Sequence, residues 1–204
     1  QANQDKQTKP RMLIQKRDTE QAHLCLGFRA FPEEHPDKYG LIVLETILSG
    51  NMSSRLFTKI REELGLAYMI ASSVYHYSDV GTLVIQAGLK VAKTDLAIKT
   101  ILKELQKFKN TPVTKKELGN AKEYLKGKLA LSLDEPEGVT DWFCRQELLL
   151  GEIKKIEEII QEVEKVTSAD IQRIAKTIFI NSGLNLAMIG PFAKKEKFEK
   201  LLKL

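Results

Sequence analysis

Residues 50–68 read GNMSSRLFTKIREELGLAY, and the fold turns on how this stretch is parsed. Ser53 and Ser54 are N-cap candidates, because a hydroxyl there can satisfy an orphan amide of a first helical turn. Leu56, Ile60 and Leu64 repeat at helical spacing behind them. Gly65 stands where a left-handed residue closes a helix. The spacing therefore predicts a helix ending at a glycine corner, with Ala67 to Tyr77 leaving as a strand. Ser78-Asp79-Val80-Gly81 is a turn, and Thr82 to Leu89 is the returning strand.

Outward from that hairpin the pattern is mixed. Upstream, Met12 to Arg17 and Gln21 to Phe28 alternate as strands, the second with Ala22, Leu24, Leu26 and Phe28 on one face. Pro32 and Pro36 interrupt the chain. Leu41, Leu44 and Leu48 then mark a helix closed by Ser49-Gly50-Asn51. Downstream the chain is mainly helical. Stripes run through Ile98–Phe108, Leu118–Leu129, Pro136–Leu150 (stopped at Gly151), Ile153–Val163 and, capped by Thr167 or Ser168, Ile171–Ile178. Leu184 to Ile189 is a last strand, and a basic helix is expected over Lys194–Leu204. This order lacks strict strand–helix alternation. It predicts an α+β fold, a largely antiparallel sheet covered by helices on one face. Residues 1–10 read as a linker or tail and residues 11–204 as a single domain.

Composition excludes several classes. Of 204 residues, 43% are apolar and 29% charged, so disorder and low complexity are ruled out. The longest uncharged run, Thr177–Ala193, is broken by glycine, proline and asparagine, too short and too polar for a membrane span. The net charge of +5 lies in the ends: residues 1–17 carry +4 and residues 194–204 carry +3, leaving the middle at −2. A nucleic-acid footprint would cluster cations with aromatics on one face, so no nucleic-acid partner is expected. Cys25 and Cys144 lie far apart in sequence and are expected to be reduced, buried thiols; with no targeting segment evident, they point to the cytoplasm. Gln1 in place of a Met start predicts a fragment or a processed product.

The chemistry is sparse. His23, His35 and His76 are the three histidines, and none are spaced to give one helix face two metal ligands. His35 reads as a solvated loop residue, and His23 and His76 as structural residues on the polar faces of strands. Trp142 and Phe143 read as core. Within the opening stretch, Arg61 falls in the last helical turn and Tyr68 starts the next strand. A guanidinium and a phenol can thus meet around one corner, the first suited to carbonyls, the second to a developing oxyanion. On spacing alone the weightier account is that Arg61 caps the helix end and Tyr68 packs its ring.

The motif shifts that balance. Met52-Ser53-Ser54-Arg55-Leu56-Phe57, then Arg61-Glu62, then Gly65-Leu66-Ala67-Tyr68 resemble the signature of the C-terminal half of insulinase/pitrilysin-type zinc metallopeptidases, the group that includes mitochondrial processing peptidase. Glu20-Gln21-Ala22-His23 and Arg145-Gln146-Glu147-Leu148-Leu149 resemble that half as well, in the right order. One departure is Ser49-Gly50-Asn51, where relatives often carry a run of glycines. The resemblance implies a substrate-binding half with no metal site of its own. Zinc and the general base would belong to an N-terminal half, the partner that completes the enzyme. Tyr68 would serve as a catalytic and substrate-binding residue and Arg61 as a substrate-binding one, against a peptide substrate. Alone, the chain is expected to be inert, and to self-dimerise in place of its partner. The alternative is half of a non-catalytic family member, a peptide-binding or scaffold subunit.

Overall fold

The computed structural model describes residues 6–204; residues 1–5 of the polar stretch 1–10 lie outside the described residues. Among the described residues five strands form one sheet: β1 (Arg11–Lys16), β2 (Gln21–Ala30), β3 (Ala67–His76), β4 (Gly81–Lys90) and β5 (Asn185–Gly190), ordered β1-β5-β2-β4-β3. Only the β1–β5 pairing is parallel; β2–β5, β2–β4 and β3–β4 are antiparallel. The fold is α+β with a largely antiparallel sheet, as the sequence predicts. Among the described residues seven α-helices accompany it: α1 (Lys38–Glu45), α2 (Thr94–Asn110), α3 (Lys115–Ser132), α4 (Pro136–Leu150), α5 (Ile156–Lys165), α6 (Ser168–Ile178) and the single turn α7 (Glu196–Glu199).

Strand alternation separates the two faces of the sheet. Ala22, Leu24, Leu26 and Phe28 of β2 face Leu83, Ile85, Ala87 and Leu89 of β4 across the ladder, and all are buried. Helices α1, α2 and α6 contribute Leu41, Leu44, Ile98, Ile101, Leu105, Ile171 and Ile174 to the same core. Phe28 meets Phe179 edge-to-face with centroids 5.3 Å apart, an arrangement that adds to the area term. The opposite face is open: His23, Met69, Ala71, Ser73, Tyr75, Gln86 and Ala187 are exposed.

Several local expectations need correction. The helix of residues 38–50 is α-helical only to Glu45 and widens to a π-helix over Thr46–Gly50. The helix before Gly65 is likewise π-helical over Phe57–Glu63. A four-residue spacing no longer returns to one face in the wider turn, so Leu56 and Ile60 are buried while Leu64 lies at the surface. Helix α5 begins at Ile156, leaving Ile153 outside it and exposed. The basic helix shrinks to Glu196–Glu199, because Asn181 takes both backbone groups of Leu204 through its side chain and Phe198 and Leu202 anchor in the core. Cys144 is exposed and Cys25 half-buried on the open sheet face, so neither is a core thiol. Trp142 is half-buried and Phe143 exposed, since α4 has Gln146 as its one buried residue.

Candidate functional site

The 50–68 stretch is held from below by its own arginine. Asn51 opens a tight turn: its side-chain oxygen accepts from the Ser53 amide at 2.8 Å, and its carbonyl accepts from the Ser54 hydroxyl at 2.5 Å. Ser54 is therefore a turn donor and not the N-cap acceptor that the sequence suggested. Arg55 lies over the Phe108 ring, 4.2 Å from its centroid. Its Nε and Nη2 donate to the two carboxylate oxygens of Glu117 at 2.7 and 3.2 Å, a fork that fixes orientation as well as distance. Glu117 is also the third residue of the α3 capping box, accepting from the Thr114 amide and hydroxyl at 2.9 Å each. Burial alone would raise its pKa. The Arg55 hydrogen bonds and the two from Thr114 prevail and hold it at about 2. One arginine thus ties the corner to α2 and α3.

Above this base the chain turns. Leu66 reaches back past Gly65 to donate to the Ile60 carbonyl at 2.9 Å. Gly65 adopts φ +55°, a conformation that disfavours any residue with a Cβ. The Lys90 amide then donates to the Leu66 carbonyl at 3.2 Å and seats the start of β3 on β4. Ala67 pairs with Leu89 and Met69 with Gly88, so Tyr68 is the extra residue of a β-bulge. A bulge bends its strand and re-aims a side chain. Tyr68 and Met69 are both exposed, 56% and 50%, where strict alternation would have buried one of them.

Arg61 sits on the exposed side of the π-turn, its guanidinium 4.9 Å from the Phe57 ring centroid and 4.0 Å from a Glu62 carboxylate oxygen. Among the described residues neither the Arg61 guanidinium nor the Tyr68 hydroxyl makes a hydrogen bond. Both groups flank the Gly65 corner with their donors open to solvent. Beside Tyr68, a shallow cleft of about 260 Å³ lies on the open face, lined by His23, Cys25, Met69, Gln86, Ala187 and Ile189. His23 and Met69 both pair with Gly88, so the strand between them offers no side chain.

The remaining histidines stand apart. His35 is stacked on Phe31 with centroids 3.9 Å apart and accepts from the Asp37 amide, half-buried where a solvated residue was expected. His76 ends β3 on the covered side of the sheet, with Nδ1 2.8 Å from the Phe31 carbonyl oxygen. No group of three or more His, Cys, Asp or Glu side chains among the described residues could hold a metal ion. None of the described helices is long and apolar enough to cross a membrane.

Three features of the corner escaped the sequence reading: the π-turns, the bulge at Tyr68 and the Arg55–Glu117 clamp. The Thr114-Lys115-Lys116-Glu117 pattern signals the capping box that starts α3, but not the meeting of Glu117 with Arg55.

Comparison with known proteins supplies the family. Residues 1–125 match the family described as the peptidase M16 inactive domain. A Bacillus subtilis (strain 168) protein named "Uncharacterized zinc protease YmxG" is 41% identical over 179 residues, 88% of this chain and 44% of that protein. The chain therefore spans under half the length of that relative. A second protein of the same strain, "Probable inactive metalloprotease YmfF", is 25% identical and is covered over 41% of its length. The structure of a protease from Helicobacter pylori shares the fold, with a TM-score of 0.84 over 92% of this chain and 45% of that one, at 22% identity. With the match covering more than half of its residues and the fold agreeing, this chain belongs to the peptidase M16 inactive-domain family.

Proposed function

We propose that this chain is the substrate-binding half of a two-half zinc endopeptidase. The observation that carries the reading is the Gly65 corner: an arginine and a tyrosine with unengaged donors, exposed together on a base clamped by Arg55 and Glu117. Arg61 would hold a substrate backbone carbonyl with its fork of donors. Tyr68 would donate to the oxygen of the scissile carbonyl as negative charge gathers there. The bulge serves this role by turning the phenol outward while the rest of β3 stays paired, so the donor is aimed before substrate arrives. Zinc and the general base would come from an N-terminal half, consistent with a relative named as a zinc protease and with the lack of a metal-binding cluster among the described residues. The partners are that half and a peptide, in the cytoplasm; without the half, two copies of the chain would pair with each other.

A relative named as an inactive metalloprotease favours a second reading, in which the same corner holds peptide in a non-catalytic subunit. Co-expression with the cognate N-terminal half distinguishes the two. The first reading expects peptide cleavage from the pair and none from this chain alone. A pair that binds peptide without cleaving it, from a half that carries His-x-x-Glu-His, would overturn it in favour of the second.

A further inference from the structure

On the helix-covered side of the sheet, a cleft of about 370 Å³ opens between α1, the end of β3 and α4. Its apolar wall is Ile42, Leu149 and Ile159, with the rings of Tyr39 and Trp142 beside them, while Lys38 paired with Glu33 and the exposed Asp141 and Arg145 supply its charged lining. It adjoins a second, apolar cleft of about 260 Å³; Tyr39, Ile42, Ser132 and Ile159 line both. Two polar side chains of the first cleft are incompletely bonded. His76 Nδ1 lies 2.8 Å from the Phe31 carbonyl oxygen, which can only accept, so Nδ1 carries the proton and Nε2 of the neutral ring is an acceptor. Burial favours that neutral ring by lowering the His76 pKa. Gln146, itself buried, accepts from the Lys154 amide through Oε1 at 2.9 Å, leaving its Nε2 amide as a donor. Neither His76 Nε2 nor Gln146 Nε2 has a partner, and both are shut off from solvent.

Buried groups left unbonded are uncommon and costly. Here the two are complementary, one acceptor and one donor, both uncharged, on residues that line one cleft. A hydroxyl group, which donates and accepts, matches that pair; an anion or a cation matches only one of them. We propose that this cleft is a binding site for a small neutral amphipathic molecule, a phenol or alcohol, whose hydroxyl engages His76 Nε2 and Gln146 Nε2 while its apolar body lies against Ile42, Leu149 and Trp142. Helix α4 carries Gln146 as its one buried residue, and binding requires α4 to yield outward so that the hydroxyl reaches the two sealed atoms. The site shares no lining residue with the Arg61–Tyr68 corner.

Fluorine NMR titration with para-fluorophenol, and with para-fluorotoluene as the match lacking a hydroxyl, tests the proposal. The phenol binds saturably and about tenfold tighter than the toluene, the difference expected for a hydrogen-bonded hydroxyl. Gln146→Glu keeps the acceptor for Lys154 and removes the donor; it and His76→Phe each remove one of the two hydrogen bonds and so narrow the phenol's advantage over the toluene severalfold. Leu148→Ala, at an 83% exposed position on the same helix, leaves both affinities unchanged. Equal affinities for the two probes, no saturable binding, or a hydroxyl preference unchanged in both variants would overturn the proposal.

Discussion

Replacing Arg55 with Met keeps the length of the side chain and its contact with Phe108 while removing both hydrogen bonds to Glu117. Holding a carboxyl at about 2 when its ordinary value is 4.5 corresponds to roughly 3.4 kcal/mol of stability at neutral pH if nothing were screened. The Glu117 side chain is 31% exposed and Thr114 supplies part of the effect, so Arg55's share discounts to about 1–2 kcal/mol. Loss of the cation from the Phe108 ring adds about 0.5–1 kcal/mol. The expected total is about 2 kcal/mol, or a melting temperature lowered by about 4–8 °C for a chain of this size. The sign of the pH dependence follows from the depressed value. The carboxylate's contribution is complete above its unfolded pKa and is lost as pH falls toward 2. At pH 3 it retains about 40% of its neutral value by linkage. Thermal melts of wild type and Arg55→Met at pH 7 and pH 3 should therefore differ widely at the first and much less at the second. A gap independent of pH would refute the clamp, since only loss of packing behaves that way.

Other expectations bear on the same corner and core. Gly65→Ala forces a Cβ into a left-handed conformation and should cost about 1–2 kcal/mol, with Gly65→Asn milder, by urea denaturation. Phe28→Ala empties a fully buried site against Phe179 and should cost about 3–5 kcal/mol by the same measurement. Glu45 is a half-buried carboxyl whose pKa is raised chiefly by burial, against the 2.6 Å hydrogen bond from Ser72 and the charge of Lys128. A raised folded-state value means stability is lost as pH rises above the ordinary carboxylate range. Glu45→Gln, which still accepts from Ser72, should therefore stabilise the protein at pH 7 and change little at pH 4; equal effects at both would contradict this.

Much of the fold was legible because it rests on periodicity. Alternation in β2 and β4 marked one buried face, and the Ser78–Gly81 turn set the hairpin, features that depend on neighbours in sequence. Gly65 was legible for the same reason, as a residue at a helix end whose backbone needs it. The π-turns were not. Leu56, Ile60 and Leu64 fit an α-helix equally well, and only packing against the sheet decides that the backbone widens. The bulge at Tyr68 arises from a register shift between β3 and β4, a property of two strands that no single strand displays. The Arg55–Glu117 clamp joins residues 62 positions apart, so its members were visible but their meeting was not. Helix α4 misled because Trp142 and Phe143 carry core composition, yet Gln146 is its one buried residue, with Trp142 half-buried and Phe143 exposed.

The claim at the centre of this account is that Tyr68 donates to the reacting carbonyl oxygen. Steady-state kinetics of Tyr68→Phe in the assembled two-half enzyme tests it directly, because the ring and its packing remain and only the hydroxyl leaves. The account predicts kcat reduced by on the order of a hundredfold with KM changed by no more than a few fold, the signature of an interaction made in the transition state. Wild-type kcat in that variant would contradict it.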